Sequence, residues 1–165
     1  MKKLLIVIIT SLFAVSAHAQ LYVGGNIGLT SGRDGTGIGI NIAPELGYYI
    51  NDHFNVGGFL SYQSRYNTFG VTPYFRWNIV AFADRLRLFL SATAPMRFTG
   101  EYQSYGFNFR PGFSVFLGNG LSLMAHIGTF GYAYTKYATY STSGWLARVD
   151  GDSISVGVCV DLGWR

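Results

Sequence analysis

The sequence predicts an all-β protein: an eight-stranded antiparallel up-and-down transmembrane β-barrel, preceded by a cleaved signal peptide. Three observations lead there. Apolar residues recur at every second position along most of residues 20–165, and helical spacing is absent. One face of that alternation carries no charge in its clearest strands, while the other is small, polar or aromatic. The first 19 residues follow the order of a secretory signal.

The signal is the first element. Lys2 and Lys3 make a basic start, Leu4 to Val15 is apolar apart from Thr10 and Ser11, and Ala17-His18-Ala19 places small residues where signal peptidase reads. The apolar run is too short for a spanning helix, which needs about 20 residues. The expected domains are therefore the signal, 1–19, and one barrel domain, 20–165, beginning near Gln20. Loss of Lys2 and Lys3 leaves Lys136 as the one lysine. The small basic excess that remains points to no nucleic-acid or acidic partner. Cys159 stands alone, so no internal disulfide staples an exported chain.

Strands are expected at roughly 20–30, 37–50, 54–64, 69–80, 85–99, 104–117, 121–136 and 153–164. Each can cross a bilayer as a tilted strand, which takes about 9–11 residues. In the second, Ile38, Ile40, Ile42, Pro44, Leu46, Tyr48 and Ile50 share one face, and Gly39, Asn41, Ala43, Glu45 and Gly47 the other. In the fourth, Phe69, Val71, Pro73, Phe75, Trp77 and Ile79 alternate with Gly70, Thr72, Tyr74, Arg76 and Asn78. In the fifth, Leu86, Leu88, Leu90 and Ala92 alternate with Arg87, Phe89, Ser91 and Thr93. The last sets Ile154, Val156, Val158, Val160, Leu162 and Trp164 against Ser155, Gly157, Cys159, Asp161 and Gly163.

Which face is outside separates two classes. A soluble barrel shows water a surface of which roughly a quarter to a third is charged. The polar face here is too poor in charge for that and suits a narrow, filled lumen. The apolar face suits lipid. An open edge in lipid leaves backbone groups unpaired, so the last strand must pair with the first. An even strand count puts both ends on one side, as in barrels of the bacterial outer membrane, whose termini are periplasmic. The expected location is thus the outer membrane, reached through the Sec pathway. The short connections at 51–53, 81–84 and 118–120 then face the periplasm. Outward aromatics fall at two levels, as interface belts do. Tyr48, Phe54, Trp77 and Trp164 lie near the periplasmic level, and Tyr62, Phe69, Phe98, Tyr105 and Phe107 near the outer one.

Two features disturb the pattern. Pro44, Pro73, Pro95 and Pro111 fall inside strands, where a missing N–H breaks the ladder, so bulges or unpaired carbonyls are expected. In the seventh strand Leu121, Leu123, Ala125 and Ile127 hold one parity, and Phe130, Tyr132 and Tyr134 the other. Either a bulge near Gly128 turns those aromatics to lipid, or they fill the lumen.

Residues 44–56, PELGYYINDHFNV, align without gaps on 111–123, PGFSVFLGNGLSL. Each reads as a proline, a strand, a tight turn and a second strand, a repeating hairpin that suits an up-and-down barrel. On Pro44-Glu45-Leu46-Gly47-Tyr48-Tyr49, Pro73-Tyr74-Phe75-Arg76-Trp77, and Pro111-Gly112-Phe113 with Phe116, the chain resembles the small outer-membrane β-barrel domain proteins of Bacteroidetes, related in architecture to the OmpA and opacity-type barrels. The resemblance covers most of residues 20–165 and implies a fold far more than an activity. Such barrels usually end in an aromatic residue; here Trp164 is followed by Arg165.

Candidate functional residues are the inward charges: Glu45, Arg76, Arg87, Arg97, Arg110 and Asp161, with His126. They can serve as a gate or anion path, or as a static ion-pair network that fills the barrel. Eight strands leave room for little but side chains, which favours the network. Glu45 is expected to pair with Arg76 or Arg110, because unpaired buried charge is costly. Lipid A deacylases are also eight-stranded barrels, with a His, a Ser and an acid on the lipid-facing wall. Here the residue two beyond His126 is Gly128, so that serine is missing, and Ser122 is too far along the strand. Cys159 is expected to fill the lumen, having no basic neighbour in sequence to activate it.

The outer loops at 31–36, 65–68 and 100–103 are short. The loop at 137–152 is longer, and its Tyr137, Tyr140, Trp145 and Arg148 are the binding candidates. Asp150 and Asp152 alone make too few ligands for a cation, and no metal or cofactor is expected. Expected partners are outer-membrane lipid and lipopolysaccharide, with the barrel-assembly machinery during insertion, and the chain is read as a monomer. The leading expectation is a non-enzymatic structural or surface protein. A narrow pore comes second and a lipid-modifying enzyme third.

Overall fold

The computed structural model describes residues 20–31, 38–64, 67–82, 85–100, 102–149 and 154–162. The expected signal peptide, Trp164, Asp150 and Asp152 lie outside them. The strands are β1 (Gln20–Ser31), β2 (Ile38–Tyr49), β3 (Phe54–Gln63), β4 (Thr68–Phe82), β5 (Leu86–Thr93), β6 (Met96–Phe98), β7 (Tyr102–Gly118), β8 (Leu121–Ile127), β9 (Thr129–Tyr137), β10 (Ser141–Arg148) and β11 (Ile154–Asp161). All pair antiparallel in one sheet. From β1 the ring runs β2, β3, β4, β5, β7, β8, β11 and back to β1, a closed barrel of eight wall positions. β6 prolongs β5, β9 prolongs β8, and β10 prolongs β11 on the far side of a connection. Closure leaves β1 and β11 no free edge where they meet, from Tyr22↔Asp161 to Asn26↔Gly157.

The near end of the barrel carries Gln20 and Asp161. Its turns follow from local chemistry. The side chain of Asn51 accepts hydrogen bonds from the backbone N–H of His53 and of Phe54, both at 2.9 Å, and so closes the β2–β3 hairpin. Gly118-Asn119-Gly120 joins β7 to β8 with all three residues at positive φ (110°, 52° and 74°), as a tight hairpin requires.

The prolines act by removing rungs rather than by shifting register. Pro73 accepts from the N–H of Ala94, and Pro95 from that of Gly106, each at 3.0 Å, but neither returns a bond. The two missing donors flank Ala94-Pro95, where the expected fifth strand divides into β5 and β6. The register is unchanged across the gap: Tyr74↔Thr93 continues as Val71↔Met96. At Pro44 the β2–β3 ladder likewise lacks rungs between Ile42↔Tyr62 and Glu45↔Phe59.

The seventh strand is bulged. β7 pairs Phe109↔Phe130 with β9 but Gly112↔His126 with β8, so one extra residue is accommodated at Gly128, whose φ is 90°. The bulge flips parity and turns Phe130, Tyr132 and Tyr134 outward, where all three are exposed.

The expectation of a loop over 137–152 is corrected. Residues 138–140 make a tight turn, and β10 pairs along the whole of β9, from Ser141↔Lys136 to Arg148↔Thr129. The serine- and threonine-rich stretch hid a strand because its alternation is weak: outward Trp145 stands among Ser141, Thr142, Ser143 and Gly144.

The inward face forms the core, around Tyr22, Ala43, Phe59, Tyr74, Met124 and Cys159. Outside, large apolar side chains such as Ile27, Ile42, Leu46, Leu60, Phe75 and Val156 stand exposed around the wall, an arrangement that water would penalise and lipid would not.

Gly128→Val puts a β-branched residue at positive φ and drives its Cβ to 2.9 Å from the carbonyl oxygen of Arg148. We expect it to cost about 1–3 kcal/mol. Gly144→Val, where a Cβ meets nothing within 4 Å, should be close to neutral. Urea unfolding in phospholipid vesicles measures both. Equal effects would contradict the bulge.

Candidate functional site

Five strands send side chains to one point in the lumen. Alternation aims Tyr22 of β1, Glu45 of β2, Tyr74 and Arg76 of β4, Ser91 of β5 and Met124 of β8 inward. The wall there is glycine where the rings lie. A Cβ at Gly47 would overlap the ring of Tyr22, and one at Gly57 that of Tyr74. Large residues on one strand therefore need glycine on the next.

Arg76 is the centre of this layer. Its Nη2 donates to Glu45 Oε1 at 2.9 Å, and the two side chains are 2% and 1% exposed. Its Nε donates to Ser91 Oγ at 3.2 Å, and its Nη1 reaches Tyr22 Oη and Met124 Sδ, both at 3.3 Å. Tyr74 Oη donates to Glu45 Oε1 at 2.5 Å and is also hydrogen-bonded to Tyr22 Oη. The guanidinium carbon sits 4.7 Å from the ring centroids of both Tyr74 and Phe89, a cation–π sandwich. A buried charge is tolerable on these terms, because each guanidinium nitrogen has an acceptor and a carboxylate balances the charge.

The expected network of ion pairs is corrected. Glu45–Arg76 is the ion pair found among the described residues. Arg87 and Arg97 hold inward parity but stand exposed, Arg87 beside the near cavity and Arg97 beside the far one. Arg110 is partly buried; its Nη2 donates to Ser155 Oγ at 3.1 Å, while its buried Nε has no partner. Asp161 is half-buried and its Oδ1 is unpartnered. Parity assigns these groups their inward direction but not their separation along the barrel.

His126 has a neighbour that sequence spacing missed. Cross-strand pairing puts Ser155 opposite it, with Oγ 3.4 Å from Nδ1. A nucleophilic Ser–His pair needs about 2.6–3.2 Å and a third group that orients the imidazole. His126 Nε2 has no partner, and its ring is packed edge-on against Phe59 and Phe89. The pair also lies inside the barrel, not on the lipid-facing wall. Cys159 is buried in the lumen, flanked across the sheet by Gly24 and Ser122.

Two cavities lie on either side of the layer. The near one, of about 310 Å3, reaches from Asn51 and Arg85 to Arg76, Met124 and Cys159. The far one, of about 130 Å3, is lined by Arg97, Ser104, Asn108, Thr129, Leu146 and Arg148. On the outer wall Tyr48 and Phe54 are half-buried and Trp77 is exposed toward the near end. Tyr62, Phe69, Phe98, Tyr105 and Phe107 are exposed toward the far end. Tyr140 stacks on Tyr137 at the β9–β10 tip (centroids 4.5 Å apart), and Trp145, 85% exposed, meets Tyr132 edge-on. Arg148 faces the lumen. Among the described residues no group of three or more His, Cys, Asp or Glu is placed to hold a metal ion.

Glu45→Gln strips Arg76 of its counter-charge without changing shape. The expected loss is about 3–5 kcal/mol of unfolding free energy. Adding Arg76→Gln should recover part of it, since the orphaned charge is then gone. A single variant as stable as the parent in urea would contradict the pairing.

The chain was compared with known proteins. Its residues 4–161 match the family model described as "Outer membrane protein beta-barrel domain". Among solved structures, the crystal structure of Neisserial surface protein A aligns at 18% identity over 87% of this chain and 97% of that one, with a TM-score of 0.44. No curated protein matches. With nearly its whole length matched, the chain belongs to the outer-membrane β-barrel domain family.

Proposed function

We propose that this chain is a non-enzymatic integral outer-membrane protein with a structural or surface role, its lumen closed by its own side chains. The observation that carries this reading is the layer around Arg76 and Glu45, which lies between the two cavities. Eight strands enclose little more than side-chain volume. A guanidinium held by Glu45, Ser91 and Tyr22 and sandwiched between two rings is an immobile stopper, not a swinging gate. The Ser155–His126 spacing and its setting inside the barrel weigh against hydrolysis.

In this reading residues 1–19 direct export through the Sec pathway and are removed, and the near end, with both termini, faces the periplasm. The far end, with the β9–β10 hairpin, faces outward. The exposed apolar wall meets lipid and lipopolysaccharide, and the assembly machinery inserts the chain. In the near half, where β1 meets β11, the ring is closed and needs no second copy to cover an edge, which supports a monomer.

Planar-bilayer conductance of refolded residues 20–165 tests the closure, with a heat-dependent gel shift to verify folding. A folded barrel without discrete conductance steps is the expected result. Steady steps in the parent protein would overturn closure and put a narrow pore in its place.

A further inference from the structure

Of the inward cations, Arg76 is neutralised by a carboxylate and Arg87 stands beside the near cavity; Arg97, Arg110 and Arg148 gather on the far side. Arg97 of β6 and Arg148 of β10 line the far cavity from opposite walls, and Arg110 of β7 lies two residues beyond Asn108 on the same inward face. Among the described residues none of the three makes an ion pair. Asn108 lines the same cavity; it is 9% exposed and its buried Oδ1 has no partner. The remaining lining includes the hydroxyl residues Ser104 and Thr129. Guanidinium groups brought together repel one another, and among the described residues none of these three has a carboxylate partner. Hydroxyl and amide groups around them supply neutral hydrogen bonds but no compensating charge.

We propose that the far cavity is a binding site for a phosphate-type oxyanion, held between Arg97 and Arg148 with Arg110 as a partly buried cation nearby. Planar guanidinium forks match the oxygen pairs of such a group. Ser104 and Thr129 add donors, and the Asn108 amide, turned about its last bond, adds its N–H2. The volume, about 130 Å3, fits a phosphate group with a little water. Two routes lead in. One is from the far end of the barrel. The other is a seam in the wall: among the described residues β10 pairs with β9 alone, and β1 beyond Asn26 pairs with β2 alone, so no hydrogen-bonded ladder among them joins β10 to β1. A phosphorylated lipid headgroup would enter by the seam.

The test uses the barrel refolded in dodecyl maltoside, with folding of every variant verified by the heat-dependent gel shift. Inorganic phosphate is titrated calorimetrically, and dodecyl phosphate within the micelles is followed by its 31P resonance. Phosphate binding that weakens at least tenfold in the Arg97→Gln, Arg148→Gln double variant, and survives in the corresponding lysine variant, establishes the site for a free anion. No phosphate heat, with a 31P shift in the parent that vanishes in the glutamine variant, establishes it for a lipid headgroup. If neither probe distinguishes parent from variant, the proposal is wrong. Should the double variant fail to fold, Arg148→Gln alone, at an exposed position on β10, serves the same comparison.

Discussion

A guanidinium cut off from water has to find its counter-charge inside the protein, and the interior of this barrel is arranged around that demand. Moving a charge of this kind out of water costs several kcal/mol even after relaxation. β4 cannot meet the cost alone, because Tyr74, two residues away on the same face, offers the guanidinium a ring but no counter-charge. The acceptors come from other strands: Ser91 directly beside it on β5, and Glu45 on β2 and Tyr22 on β1 from farther round the lumen. The contacts therefore tie together strands that hydrogen-bond only to their neighbours. A closed sheet is hollow by nature, and the polar layer gives it a cross-brace.

The same demand explains the small residues of the wall. Tyrosine hydroxyls reach the pair only if their rings lie flat against the opposite backbone, and Gly47 and Gly57 are where they do so. An inward face of glycine, serine and tyrosine is thus complementary packing, not weak strand sequence. The far half of the barrel is built differently. There Pro73 and Pro95 remove rungs, the bulge at Gly128 turns three aromatics outward, and β10 stands on β9 without a second partner. Register also shifts near the termini, between Asn78 and Val80 and between Phe116 and Gly118, so what divides the molecule is the Arg76 layer, into a braced near part and a far part beyond it. The uncompensated arginines fall in the second.

Much of this was legible from residue order alone. Period-two alternation specified the eight wall positions, and parity specified which way Glu45, Arg76 and Arg110 point. Even the bulge was one of two readings of a parity switch at Gly128. What stayed hidden depended on contacts between distant strands. Parity cannot say whether Arg97 sits level with Glu45 or far above it; register does, and register is set by pairings along the whole sheet. Ser155 meets His126 through β8–β11 pairing, which no local spacing records. β10 was missed because Ser141, Thr142, Ser143 and Gly144 carry turn-like composition, while pairing to β9 imposes the strand.

The claim on which the account turns is that Arg76 is locked, dry and bonded, at the centre of the lumen. Proton exchange at its guanidinium, followed by NMR on the refolded barrel, measures this most directly, with exposed Arg85 as the internal reference. The account predicts a resolved, slowly exchanging Arg76 Nε–H and separate Nη–H signals while those of Arg85 exchange with water at once. Arg76 protons that exchange as fast as those of Arg85 would contradict it, and would mean that water reaches the layer.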